Sequence, residues 1–158
     1  KFFVNSKVFC VDINISVFKY SSKQIQVFGL DITNSKQVFN FIKKINNTNS
    51  DTFFDIIIDD GSHKLFDILL TIKFLFNKLN KGGFYIIEDF NLLNKWKHLD
   101  DENELKIDNI IKHLKSKKIF ESKILSKDFQ VNLFKDLENI YQYKGNLIES
   151  DIVFLKKN

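Results

Sequence analysis

At 158 residues, 44% hydrophobic and 28% charged, the chain suits one compact domain with a sizeable core, which excludes disorder and collagen-like repetition. No apolar run reaches the roughly 18 residues of a membrane span. The net charge of +4 comes wholly from Lys interleaved with Asp and Glu. Without Arg the planar fork that grips phosphate or a guanine edge is missing, so neither nucleic acid nor a membrane surface is an expected partner.

The 18 Phe, the abundance of Lys, Ile and Asn, and the absence of Ala, Arg, Pro and Met read as a coding bias toward A/T-rich codons. The missing Met and the opening on Lys1 are read as a fragment cut inside a domain, in preference to a processed mature chain, because no leader of secretory type is present. The single cysteine, Cys10, lies in an apolar strand pattern. It is expected to be a buried, inert thiol in a reducing, cytoplasmic setting. Lys112 to Lys118 is the densest basic stretch and reads as a solvated helix end.

In chain order, Val8 to Val11 is a short apolar run closed by Asp12, and Ile25 to Leu30 is a second, closed by Asp31. The polar segment with Ser21, Ser22 and Lys23 lies between them. Thr33 or Asn34 then caps a helix whose Val38, Phe41, Ile42 and Ile45 share one face, and a polar loop runs from Asn46 to Ser50. Phe53 to Ile58 has the pattern of a strand buried on both sheet faces and stops at Asp59-Asp60-Gly61-Ser62-His63. Leu65, Ile68, Leu69, Ile72, Leu75, Phe76 and Leu79 follow at helical spacing, with Gly82 as the stop signal.

Gly83 to Ile87 is the next strand, ending in Glu88-Asp89. Phe90 to Glu104, which holds the only Trp, Trp96, reads as a surface excursion over the mouth of the sheet. Ile107, Ile110, Ile111 and Leu114 mark another helix. Ile140 to Tyr143 and Ile152 to Leu155, joined around Lys144-Gly145-Asn146, form a terminal antiparallel pair. The expected class is α/β: a Rossmann-like, mainly parallel sheet with helices on both faces and that antiparallel pair at the end.

Ligands of open parallel sheets sit at the carboxyl ends of the strands, and four successive strands here end in acids: Asp12, Asp31, Asp59-Asp60 and Glu88-Asp89. Gathered on one edge, such carboxylates repel unless a cation or a ligand's hydroxyl or amino groups take them up. Each also has a plainer reading: Asp59 or Asp60 as a helix cap, Glu88-Asp89 as a solvated strand end, Asp12 and Asp31 as turn residues. Hard oxygen donors suit Mg²⁺. Zn²⁺ fits less well, with no Cys pair and with His63, His98 and His113 far apart. An imidazole at His63, on the loop of the Asp pair, could take a proton from a substrate hydroxyl acidified by the cation; the alternative is a first-turn helix residue making a backbone contact.

Phe54-Asp55-Ile56-Ile57-Ile58-Asp59-Asp60-Gly61-Ser62-His63, followed by Gly82-Gly83-Phe84-Tyr85-Ile86-Ile87-Glu88-Asp89, resembles class I S-adenosylmethionine-dependent methyltransferases. Within that class it is similar to the Mg-dependent sugar O-methyltransferases of macrolide-tailoring and rhamnosyl type and to the cephalosporin hydroxylase-like proteins. The resemblance runs from about Val8 to Asp89 and more loosely to the end. It implies that Asp12 meets the cofactor ribose, that Asp31 and Ile32, after Gly29-Leu30, lie against the adenine, and that Asp60, Glu88 and Asp89 hold Mg²⁺ with His63 as general base. Asp59 and Asp60 can exchange roles, the other touching the cofactor.

The family's first strand and Gly-rich cofactor turn have no counterpart in the chain and are expected upstream of Lys1, making 1–158 a partial single domain. The implied activity is methyl transfer from S-adenosylmethionine to a hydroxyl of a sugar or glycosylated small molecule, with a homo-oligomer left open. A receiver-type phosphoacceptor domain and a non-catalytic methyltransferase-fold binding module are the rival readings.

Overall fold

The structure, a computed structural model, describes residues 5–19, 22–46, 54–147 and 150–158. Lys1, Ser21, the loop residues 47–50 and Phe53 lie outside them. The chain divides into two compact units, 1–47 and 48–158.

In the first unit β1 (Val8–Asp12) and β2 (Ile25–Gly29) pair in parallel, Asp12 opposite Gly29. Helix α1 (Ser35–Ile45) follows, burying Val38, Phe41 and Ile45. Asn34 is its cap, accepting from the Gln37 amide, while Thr33 bonds back to Asp31. Phe28 meets Phe41 edge-on at 5.0 Å between ring centres, fixing α1 against β2. Cys10 is half-buried, not enclosed as expected, because no residue of this two-stranded sheet is fully buried.

The second unit contains β3 (Phe54–Asp59), α2 (Leu65–Leu75), β4 (Leu79–Ile87), the short α3 (Leu92–Lys95), α4 (Ile107–Ser116), α5 (Lys127–Asp136), β5 (Leu137–Tyr143) and β6 (Ile152–Lys157). Its sheet has the order β3-β4-β6-β5. The β3–β4 pairing is parallel, and β6 runs antiparallel to both β4 and β5. The class is therefore α/β with a mixed sheet and the closing antiparallel pair. An all-parallel receiver-type sheet is excluded, since β6 is inserted antiparallel between β4 and β5.

Three local expectations change. The helical pattern that seemed to extend to Leu79 breaks at Leu75, passes through a 3-10 turn at Phe76–Lys78, and becomes β4 at Leu79. Gly82 is thus inside β4 at φ 77°, a left-handed conformation that glycine adopts at least cost, where the β3–β4 register shifts. Gly83 lies so close to the Asn80 and Asp55 carbonyls that a Cβ would meet each at 2.9 Å. Helix α5, which the sequence reading left unassigned, is capped by Ser126 onto the Phe129 amide and buries Gln130, Leu133 and Phe134. Leu133, Phe134 and the cap carry a helical signal, but the polar residues around them, the buried Gln130 included, dilute it.

The third change concerns β3. Ile57 is buried, yet Ile56 and Ile58 are 43% and 58% exposed, so the strand is covered on one face only. That face continues through Tyr85, Ile87, Val153, Leu155 and Ile140 by register, and α2 packs against β3 and β4. Among the described residues no helix is long and apolar enough to cross a membrane.

Candidate active site

Parallel pairing places the ends of β3 and β4 side by side, Asp59 opposite Ile87, with the Glu88 amide donating to the Asp59 carbonyl at 3.0 Å. The chain leaves β3 through Asp60-Gly61-Ser62-His63 and leaves β4 through Glu88-Asp89. One oxygen of Asp60, one imidazole nitrogen of His63 and one oxygen of Asp89 all lie within 4.8 Å of one another. His63 Nε2 stands 3.9 Å from Asp60 Oδ1. Two of these residues carry positive φ, His63 at 54° and Asp89 at 51°. Side chains rarely adopt that conformation, and its cost is met by the surrounding bonds.

Neither Asp59 nor Asp60 caps α2; the helix begins at Lys64, which makes no side-chain cap bond. His63 precedes that cap and is outside the first turn. Asp59 turns away from the cluster and accepts from the Tyr85 hydroxyl at 2.7 Å. Loss of water raises its carboxyl pKa to about 6, against the opposing pull of the bonds from Tyr85 and from the Gly61 amide. Burial likewise pushes the Tyr85 hydroxyl upward, aided by the Asp59 charge. Ser62 bonds the Asp67 carboxylate. Glu88 is half-buried beside the cluster but is not one of its three members.

The donor set is two carboxylates and one imidazole. Asp60 and Asp89 are hard oxygen donors of the type Mg²⁺ takes, with water or substrate oxygens completing its shell. Residues 60 and 89 therefore fit a magnesium site, and His63 is left as an imidazole at its margin.

In the first unit Asp12 closes β1, accepting from the Asn14 amide at 2.7 Å. It lines a cavity of about 360 Å³ with Cys10, Val11, Ile15, Phe18 and Val27 among the other walls. An exposed carboxylate beside apolar walls fits a ribose attached to a flat ring. Asp31 accepts from the Thr33 hydroxyl and amide, which hold its carboxyl below the usual range, and Ile32 is half-buried in the same turn. Within each unit the acids follow neighbouring parallel strands, Asp12 and Asp31 after β1 and β2, Asp59-Asp60 and Glu88-Asp89 after β3 and β4, and of these only Asp60 and Asp89 are grouped in the cluster. The excursion after Asp89 is better anchored than its polarity suggested, with the Leu92 amide on the Asp89 carbonyl and Phe90 and Leu93 buried. Trp96 remains 46% exposed.

Sequence reasoning missed Tyr85. A tyrosine in an apolar strand is common, and only the register of β3 against β4 puts its hydroxyl on Asp59.

No protein-family profile and no curated protein sequence matches the chain. Among solved structures it is similar to the MycE methyltransferase of the mycinamycin biosynthetic pathway. For the complex with Mg, SAH and mycinamycin VI the identity is 18%, the TM-score 0.68, and the coverage 96% of this chain and 36% of that one. A crystal form of the same enzyme with Mg and SAH gives 18% identity, TM-score 0.67 and the same coverage. The chain spans little more than a third of MycE. The likeness is one of fold: the chain has the Rossmann-like α/β fold of these methyltransferases.

Proposed function

We propose that the protein is an S-adenosylmethionine-dependent methyltransferase acting on a hydroxyl of a sugar or glycosylated small molecule with Mg²⁺ assistance. The observation that carries this reading is the Asp60–His63–Asp89 cluster at the carboxyl ends of two parallel strands in a fold shared with MycE. Bound S-adenosylmethionine supplies an activated methyl group, and bound Mg²⁺ supplies positive charge that acidifies an acceptor hydroxyl. Asp60 and Asp89 hold the ion, with Glu88 beside them as a further carboxylate. His63, on the same loop, accepts the hydroxyl proton. Asp12 receives the ribose hydroxyls, and Asp31 and Ile32 border the adenine. Units 1–47 and 48–158 are parts of one methyltransferase domain in this reading.

The test is calorimetric titration with S-adenosylhomocysteine, followed by methyl transfer to glycosylated acceptors with and without a chelator. Binding and chelator-sensitive transfer are expected. His63→Ala should lower the transfer rate by about 10²–10⁴-fold, and Glu88→Gln should raise the Mg²⁺ concentration needed. Normal Mg²⁺-dependent transfer by both variants would overturn the site assignment. A protein that binds the cofactor product but transfers nothing would be the non-catalytic binding module instead.

A further inference from the structure

The loop from Asp59 to His63 alternates between residues fixed to the scaffold and residues left facing the cluster. Asp59 is held by the Tyr85 hydroxyl, 2.7 Å from Oδ2, and by the Gly61 amide. Ser62 is held by Asp67 on the first turn of α2, and its own Oγ accepts from the Lys64 amide at 3.3 Å. The Thr71 hydroxyl donates to the Asp67 carbonyl at 2.8 Å, one turn further along α2. Gly61 lies so near Asp59 that a Cβ there would meet Oδ1 at 3.3 Å. Between these anchors, Asp60 and His63 are turned toward Asp89.

Tyr85 itself is fully buried, 0% exposed, so it touches neither substrate nor ion. Its position follows from the register: Ile57 opposite Tyr85 and Asp59 opposite Ile87 put the hydroxyl and the carboxylate on the same covered face. A buried phenol needs a hydrogen-bond partner, and the partner it takes is the residue that begins the functional loop. We infer that Tyr85 is a positioning residue: through Asp59, with Ser62–Asp67 as the second anchor, it holds Asp60 and His63 in the geometry that captures a divalent cation with Asp89. The inference rests on the reading of Asp60 and Asp89 as cation ligands. Groups that orient ligands from behind commonly change metal affinity by about 10–100-fold when removed.

The experiment is Mn²⁺ titration, followed by electron paramagnetic resonance, of the protein and of Tyr85→Phe, Ser62→Ala and Asp60→Asn. Mn²⁺ stands in for Mg²⁺ because both favour carboxylate oxygen. Tyr85→Phe is expected to weaken Mn²⁺ binding by about tenfold and Ser62→Ala by a few-fold. Tyr141→Phe, at an exposed tyrosine of β5, should change nothing. A core variant such as Val153→Ala, matched to Tyr85→Phe in lost melting temperature, should keep its affinity, which separates positioning from general destabilisation. If Asp60→Asn abolishes binding while Tyr85→Phe binds as tightly as the unmodified protein, the positioning role is overturned and the cation site stands. If the unmodified protein takes up no Mn²⁺, or Asp60→Asn binds equally well, the cation reading falls and this inference with it. Should Tyr85→Phe fail to fold, Ser62→Ala decides: unchanged affinity there overturns the two-anchor arrangement.

Discussion

The two faces of the sheet β3-β4-β6-β5 are built from the same strands and are almost equally apolar, yet they have opposite fates. On one, Tyr85, Ile87, Val153 and Leu155 are no more than 2% exposed. On the other, Ile56, Ile58, Tyr141 and Tyr143 are substantially accessible, and the half-buried Phe154 meets Phe84 and Tyr143 through ring edges. Apolar character alone does not bury a residue; a covering layer must be present, and among the described residues α2 packs on one side of the sheet. The covered face is also where the polar pair Asp59–Tyr85 sits. The low-dielectric side of the sheet thus contains the bond between Tyr85 and the first residue of the loop from Asp59 to His63, and a hydrogen bond shielded from water there holds its geometry more firmly.

The largest expected effect comes from the covered face. Leu155→Ala should lower unfolding free energy by about 2–5 kcal/mol in a denaturant titration, because a methyl-rich side chain is lost where neighbours cannot collapse. A loss below about 1 kcal/mol would mean that the face is loosely packed.

A smaller effect concerns Asp59. Its carboxyl, raised to about 6 by burial, binds its proton more tightly in the folded chain than in the unfolded one, where the ordinary value is 3.8. Between about pH 4 and pH 6 unfolding therefore releases a proton. Stability should fall as pH rises through that window, by roughly 2–3 kcal/mol in metal-free protein, and level off above it. Asp59→Asn should flatten this dependence; an unchanged slope in the variant would assign the titration to another group.

The smallest effect belongs to the uncovered face. Ile58→Thr should change stability by less than about 0.5 kcal/mol, as for other exposed sites. A loss of several-fold that size, seen in the same titration, would show that this face is covered in solution and would erase the contrast between the two sides.

Much of the site was legible because its chemistry is local. Asp59-Asp60-Gly61-Ser62-His63 and Glu88-Asp89 follow apolar runs, and a polar break after such a run marks a strand end wherever the strand lies. The helices α1, α2 and α4 were readable from apolar spacing, and the antiparallel pair from two short runs around Gly145. The stop at Gly82 was misplaced because the apolar residues from Leu65 to Leu79 keep helical spacing across a real change to strand. Which acids meet could not be read from spacing at all. The structure groups Asp60 with Asp89 and His63, leaves Glu88 outside that trio, and gives Asp59 to Tyr85.

By itself the sequence determined the α/β alternation, the strand ends that carry the acids, and the place of His63 on the loop after β3, since each depends on neighbours a few residues apart. Only the tertiary structure decided the antiparallel insertion of β6, the one-sided burial of β3, and the division of labour between Asp59 and Asp60. Those outcomes depend on strand register and on which layer covers which face, and both are set by contacts between residues far apart in the chain. Asp59 and Asp60 are adjacent and chemically identical, but successive residues at a strand end point to opposite sides, and the sheet meets α2 on only one of them.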